Sequence, residues 1–310
     1  MQSIYHVPVL SEEIIKIFNP QKNQNYIDGT LGDGGHTEML LEKIGPNGKV
    51  MAFDLDGDAI IRASKRLEKY KDRIIFINKN FKEIEKIVKE NKFTDIAGIL
   101  FDLGLSTYQL QSSRGFSFQT EGKLDMKFDE STRKHRSAFQ IVNEAKPEEL
   151  RHIFRKYGEI QNYWKLTDTI IKKRTLGKIK TSQELAETVK YLAPERFRNR
   201  YLAQVFQAIR IAVNNELENI TNALKDSIKI IEPKGKIAVI SYHSLEDRIV
   251  KQFFQTESKG CICPPEIPIC QCLHIASLKI LTKKPIIPTE IEIKNNSKAR
   301  SAKLRIAEKI

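Results

Sequence analysis

The run Asp28-Gly29-Thr30-Leu31-Gly32-Asp33-Gly34-Gly35-His36 carries more backbone freedom than a turn requires. Glycines admit positive φ and let the main chain approach a ligand where side chains would exclude it. The spacing is neither G-x-G-x-x-G nor G-x-x-x-x-G-K-[ST], which disfavours a pyrophosphate cradle or a P-loop and leaves a nucleoside or amino-acid moiety as the better ligand. A tight turn without a ligand is the plain alternative. Asp54-Leu55-Asp56 follows. A carboxylate at Asp54 is placed to accept hydrogen bonds from a ribose diol, which suits NAD and S-adenosylmethionine alike, while Asp56 or Asp58 fits a helix N-cap.

Asp102-Leu103-Gly104-Leu105-Ser106 precedes Thr107-Tyr108-Gln109. Asp102 or Ser106 could hold an exocyclic amine by hydrogen bonds and Tyr108 could stack on a base. The alternative is that Asp102 only caps a turn. In Tyr242-His243-Ser244-Leu245-Glu246-Asp247, Ser244 and Asp247 match a capping box, and His243 either lines a substrate cleft or serves the cap. Cys261, Cys263, Cys270 and Cys272 are all the cysteines of the chain. They are candidates for a thiolate metal site, but C-x-C pairs are less specific than C-x-x-C, and the expectation is free thiols and no metal.

These residues need a scaffold that gathers strand ends. Apolar runs at Tyr26–Gly29, Lys49–Asp56, Ile74–Asn78 and Ile96–Asp102 alternate with helical periodicity over Thr37–Ile44, Asp58–Tyr70 and Phe81–Glu90. That alternation predicts a doubly wound α/β sheet with ligands beyond the carboxyl ends of its strands. From Gln109 to Arg200 the strand rhythm stops, and Pro147–Lys156, Tyr163–Arg174 and Ser182–Leu192 read as helices of an inserted domain. One long helix from Leu202 to Ile231, a strand Lys236–Tyr242, a helix Leu245–Phe254 and extended segments at Lys279–Thr282 and Ala302–Ala307 complete the reading. The expected division is 1–108, 109–200 and 201–310.

Lys and Arg number 52 against 39 Asp and Glu, a net charge of +13 over 310 residues, which implies an anionic partner. The insert holds Arg133-Lys134-His135-Arg136, Lys172-Lys173-Arg174, Lys178, Lys180, Arg196, Arg198 and Arg200, and is expected to grip nucleic acid. No apolar run reaches the length of a membrane span and no signal peptide is evident, so a cytoplasmic protein without a membrane partner is expected, with a homodimer left open.

Six segments together resemble one family. D-G-T-L-G-D-G-G-H, D-L-G-L-S, R-G-F-S-F-Q-T-E-G-K-L-D-M-K-F-D, F-Q-A-I-R-I-A-V-N-N-E-L, H-S-L-E-D-R-I-V-K and A-R-S-A-K-L-R are similar to the bacterial 16S ribosomal RNA (cytosine-N4)-methyltransferases of the MraW/RsmH family, in the family's order from His6 to the C-terminus. The resemblance implies a class I methyltransferase fold with an inserted helical domain and S-adenosylmethionine as methyl donor. It also implies a decoding-region cytosine of 16S rRNA, free or in the small ribosomal subunit, as target. It places Gly34, Gly35 and His36 on the cofactor, Asp54 on its ribose, Phe81 beside its adenine, and Asp102 and Gln109 in the same pocket. Asp102, Ser106 and Tyr108 are the candidate catalytic residues. The family's Thr-Arg before F-Q-A is here Ala203-Gln204; Arg200 is a neighbouring stand-in for that Arg. A nicotinamide oxidoreductase would want G-x-G-x-x-G, and a catalytically silent RNA-binding assembly factor would keep the charge without needing Asp54 and Asp102.

Overall fold

The strands are short and mostly apolar because both faces of the sheet are covered. In the computed structural model, which describes residues 8–129, 135–264, 266 and 269–310, they are β1 (Asn25–Asp28), β2 (Val50–Phe53), β3 (Ile74–Ile77), β4 (Ile96–Asp102), β5 (Lys236–Ser241), β6 (Leu278–Ile280) and β7 (Lys303–Lys309). They form one sheet in the order β3-β2-β1-β4-β5-β7-β6. β1 to β5 run parallel, and β7 is antiparallel to both its neighbours. Successive side chains alternate between two cores. Tyr26, Val50, Ala52, Leu100, Ala238 and Ile240 face one, while Ile27, Met51, Phe53, Ile99, Phe101 and Val239 face the other, as the two-residue period of a strand dictates.

Helices cover both faces. In chain order they are α1 (Ser11–Phe18), α2 (Gly35–Lys43), α3 (Gly57–Arg66), α4 (Ile84–Glu90), α5 (Thr107–Gln111), α6 (Ala138–Glu144), α7 (Pro147–Gly158), α8 (Tyr163–Leu176), α9 (Ser182–Val189), α10 (Arg198–Asn214), α11 (Glu216–Ile230), α12 (Ser244–Glu257) and α13 (Glu290–Asn295). Leu40, Leu41, Ile44, Ala63 and Leu67, in or just after α2 and α3, pack on the first face. Ile84, Ile87 and Val88 of α4, Ile220 and Leu224 of α11, and Val250 and Phe254 of α12 pack on the second.

The chain divides into a sheet unit, Met1–Gly104 with Leu217–Ile310, and a helical unit, Leu105–Glu216. The expected boundary at residue 200 falls inside α10. Leu202, Val205, Phe206, Ile209 and Val213 of that helix are buried in the helical unit's own core with Leu150, Phe154 and Leu166, so residues 201–216 belong to the insert. The single long helix expected over 202–231 is two. Asn215 takes a left-handed backbone conformation at φ 52° and closes α10 through its N–H to Ile211 O. Asn214 spends its side chain on Met126 O at 2.8 Å and on the Phe128 N–H at 2.9 Å. Asparagine tolerates the left-handed region better than most residues. No described helix is long and apolar enough to cross a membrane.

Candidate cofactor and active site

The strand order puts β1 and β4 side by side, with the chain winding outward from each in opposite directions. That is the topological switch point, where α/β sheets open a crevice at the carboxyl ends of their strands. Asp28 ends β1, Asp54 follows β2, Asp102 ends β4 and Tyr242 follows β5. All four lie on that one edge.

The glycine loop is wired into it. Gly29 N–H donates to Leu100 O at 2.8 Å, and a Cβ on Gly29 would sit 2.4 Å from the Phe101 ring, so only glycine lets the loop cross β4 this closely. The fully buried Asp28 carboxylate accepts from the Thr30 N–H (3.0 Å) and the Thr37 hydroxyl (2.7 Å). Burial pushes its pKa up, against the pull of His36 and of those two hydrogen bonds. Thr30 Oγ1 accepts from the Asp102 N–H at 2.6 Å, tying the loop to the end of β4. Gly34, at φ 80°, is the N-cap of α2, and no side chain among the described residues caps that helix, so its first-turn N–H groups can serve an anionic ligand. At Gly32 (φ 53°) a Cβ would meet nothing within 4 Å.

Asp54 bridges two elements. Its Oδ2 accepts from the Gly32 N–H and its Oδ1 from the Asp56 N–H, both at 2.8 Å. Desolvation pushes its pKa up to about 6 even though both backbone donors favour the ionised form. Each carboxylate oxygen keeps a second lone pair for a ligand. Asp56 caps α3 by accepting from the Asp58 N–H.

On the β4–β5 side, the Tyr242 hydroxyl donates to Asp102 Oδ1 at 2.8 Å. Burial, then the Asp102 charge beside it, raises the Tyr242 pKa far above the usual phenol range, so this hydroxyl stays a donor. Asp102 Oδ2 stands 3.6 Å from His36 Nε2, beyond hydrogen-bonding distance. The His36 ring is buried, and neither of its nitrogens has a hydrogen-bond partner among the described residues. A buried imidazole without hydrogen bonds costs free energy unless something completes it. Among the described residues the Asp102 carboxylate accepts from Tyr242 and from no turn N–H.

Tyr242, Thr30 and Thr37 escaped the sequence reading; Tyr242 carried one signal, its place directly after an apolar run in the same motif as His243. That motif is capped differently from the expected Ser244 and Asp247 pair. His243 is the N-cap, its Nδ1 accepting from the Glu246 N–H at 3.4 Å while Glu246 Oε2 accepts from the His243 N–H at 3.3 Å. Asp247 instead pairs with Arg305 at 2.6 Å, so His243 has a structural duty.

Phe81 begins the short 3-10 turn before α4 and packs edge-on against Phe101. Ser106 and Gln109 belong to the helical unit and cap α5 reciprocally: Ser106 Oγ accepts from the Gln109 N–H at 3.1 Å, and Gln109 Oε1 accepts from the Ser106 N–H at 3.0 Å. Ser106 Oγ is therefore committed to the helix. Tyr108 is 45% exposed.

The basic residues of the insert separate into structural and exposed sets. Arg174 donates to Val142 O and Ala145 O at 3.0 and 2.9 Å, closing the end of α6. Arg136 pairs with Glu149, and Arg198 is half-buried beside Glu195. Lys172, Lys173, Lys178, Lys180, Arg196 and Arg200 are exposed. Arg133 and Lys134 lie outside the described residues. Exposed aromatics stand under cations: Arg151 lies 3.8 Å from the Trp164 ring centre, Arg196 4.6 Å from Phe197, and Lys190 5.0 Å from Tyr191.

The chain is 43% identical over 310 residues to the ribosomal RNA small subunit methyltransferase H of Finegoldia magna, covering 98% of each chain. The proteins of the same name from Brevibacillus brevis and Thermomicrobium roseum are 41% and 42% identical, with 99% of this chain covered and 99% and 94% of theirs. The model of the MraW methylase family matches residues 3–310. The strand order, the glycine loop at its switch point and a match spanning nearly the whole sequence therefore agree, and the chain belongs to the MraW methylase family, whose members are S-adenosylmethionine-dependent methyltransferases.

Proposed function

We propose that the protein methylates the exocyclic N4 amine of a cytosine in the decoding region of 16S rRNA. The observation that carries this reading is Asp102, whose carboxylate is fixed on one oxygen by Tyr242 and left open on the other beside a buried His36 that has no hydrogen-bond partner among the described residues. S-adenosylmethionine, when bound, supplies a sulfonium methyl to a nucleophile. The residues fit it. The uncapped start of α2 at Gly34, Gly35 and His36 suits an amino-acid carboxylate, Asp54 suits a ribose diol, and Phe81 offers an apolar edge to a purine. Asp102 Oδ2 is then the acceptor for an amine N–H of the target, orienting the nitrogen lone pair and relieving positive charge as it develops.

The helical unit supports an RNA substrate. Exposed Tyr108, Trp164, Tyr191 and Phe197 offer stacking faces among exposed lysines and arginines, a combination suited to single-stranded nucleic acid. Changing Arg196 and Arg200 together to Glu is expected to weaken RNA binding and to flatten the dependence of log K on log salt by ~0.7 for each phosphate no longer neutralised, with cofactor affinity unchanged. Fluorescence titrations at several salt concentrations check this; an unaltered slope removes these side chains from the RNA path.

The reading as a whole is tested by incubating the protein with methyl-tritiated S-adenosylmethionine and small ribosomal subunits. Label in 16S rRNA supports it. RNA binding without label would favour a silent assembly factor.

A further inference from the structure

Between α12 and β6 the chain runs from residue 258 to 277 with no regular structure among its described residues. Among its described residues hydrophobic burial does not shape this loop: Ile262, Ile269, Leu273 and Ile275 are 47%, 75%, 90% and 81% exposed. What converges is sulfur. The Sγ atoms of Cys261, Cys263, Cys270 and Cys272 all lie within 4.8 Å of one another, with Cys270 to Cys272 at 3.6 Å and Cys272 to Cys261 at 3.8 Å. The thiols are free.

These separations have a chemical meaning. Four thiolates arranged tetrahedrally at ~2.3 Å from a zinc ion stand about 3.8 Å from one another. The Ile262 N–H points at Cys272 Sγ (3.4 Å), the Cys263 N–H at Cys261 Sγ (3.4 Å) and the Gln271 N–H at Cys263 Sγ (3.3 Å), donors that spread negative charge off sulfur ligands. The nearby imidazole is accounted for: His274 Nε2 lies 3.1 Å from Thr256 O. Ser277 anchors the loop's far end, its N–H donating to Glu257 O at 2.8 Å and its hydroxyl to Glu257 Oε2 at 2.7 Å.

We propose that Cys261, Cys263, Cys270 and Cys272 bind one Zn2+ in a closed, four-thiolate structural site that holds the α12–β6 loop in shape. Soft sulfur donors in a tetrahedron select zinc over magnesium or calcium, and with all four positions filled by protein the ion has no place for a substrate. The free energy of metal binding replaces the core that this exposed segment does not have.

The test uses the full-length chain purified without chelators and analysed by elemental mass spectrometry. One zinc per chain is expected, falling about tenfold or more in the Cys261→Ser/Cys272→Ser variant, since two thiolates make a poor site. Cobalt exchanged into the wild type should show the charge-transfer and d–d bands of a tetrahedral thiolate complex. Stripping the zinc with a mercurial and a chelator should open residues 258–277 to limited proteolysis, a readout that does not depend on methyl transfer. The proposal is overturned by wild-type chain from zinc-supplemented cells that carries no zinc and has four thiols reacting with Ellman's reagent. Iron in place of zinc, or two disulfides by intact mass, would also overturn it.

Discussion

Asp102→Ala is expected to lower the single-turnover rate of methyl transfer by ~100-fold or more at saturating cofactor and RNA, the size of effect seen when a preorganised transition-state partner is removed. Asp102 is where four elements meet: its N–H holds the glycine loop through Thr30, its Oδ1 is held by Tyr242 from the end of β5, and its Oδ2 faces His36 of α2. A cytosine amine is a poor nucleophile because its lone pair is delocalised into the ring, so an acceptor already in position matters more than it would for an alkyl amine. Asp102→Asn keeps an oxygen for Tyr242 but loses the carboxylate. Tyr242→Phe, which only loosens that carboxylate, should cost about 10-fold, the low end of the range for a hydrogen bond to a charged group. A rise in KM for S-adenosylmethionine with an intact saturated rate would instead make Asp102 a cofactor contact alone.

Asp54→Ala should weaken S-adenosylmethionine binding by about 10- to 150-fold, the range for hydrogen bonds of ~1.5–3 kcal/mol to a charged group, and leave RNA affinity unchanged. Because desolvation pushes this carboxyl up to about 6, the wild-type affinity for cofactor should fall as pH drops through 6, when the acceptor takes up its proton. Asp54→Asn should flatten that dependence. Stability of the ligand-free protein runs the other way: the folded carboxyl holds its proton more tightly than the unfolded one. Its contribution is present below about pH 4 and is lost as pH rises towards 6. Calorimetry across this range checks both, and a wild-type affinity indifferent to pH would detach Asp54 from the ribose.

The strands and the acidic residues at their ends were legible because parallel strands buried on both faces leave continuous apolar runs, and the residue after such a run falls at the ligand edge. Tyr242 was not legible as a partner of Asp102, since the two are joined only when β4 and β5 become neighbours, and sheet order has no local signal. The break between α10 and α11 was hidden for a similar reason. Asn214 reaches Met126 and Phe128 across more than 80 positions, and nothing at the break itself demands that contact. The shift of the cap from Ser244 to His243 shows the limit of pattern matching, as His243 with Glu246 satisfies the same geometry one residue earlier. With the cysteines, spacing named the four candidates, but their convergence is a property of the folded loop.

The most direct measurement of the central claim is the identity of the methylated nucleoside. Small subunits lacking the modification are incubated with the protein and isotopically labelled S-adenosylmethionine, and the 16S rRNA is digested to nucleosides for mass spectrometry with fragmentation. Label is expected in N4-methylcytidine, and absent with Asp102→Ala over the same interval. Label on C5 of cytidine, on a ribose hydroxyl or on another base would contradict it.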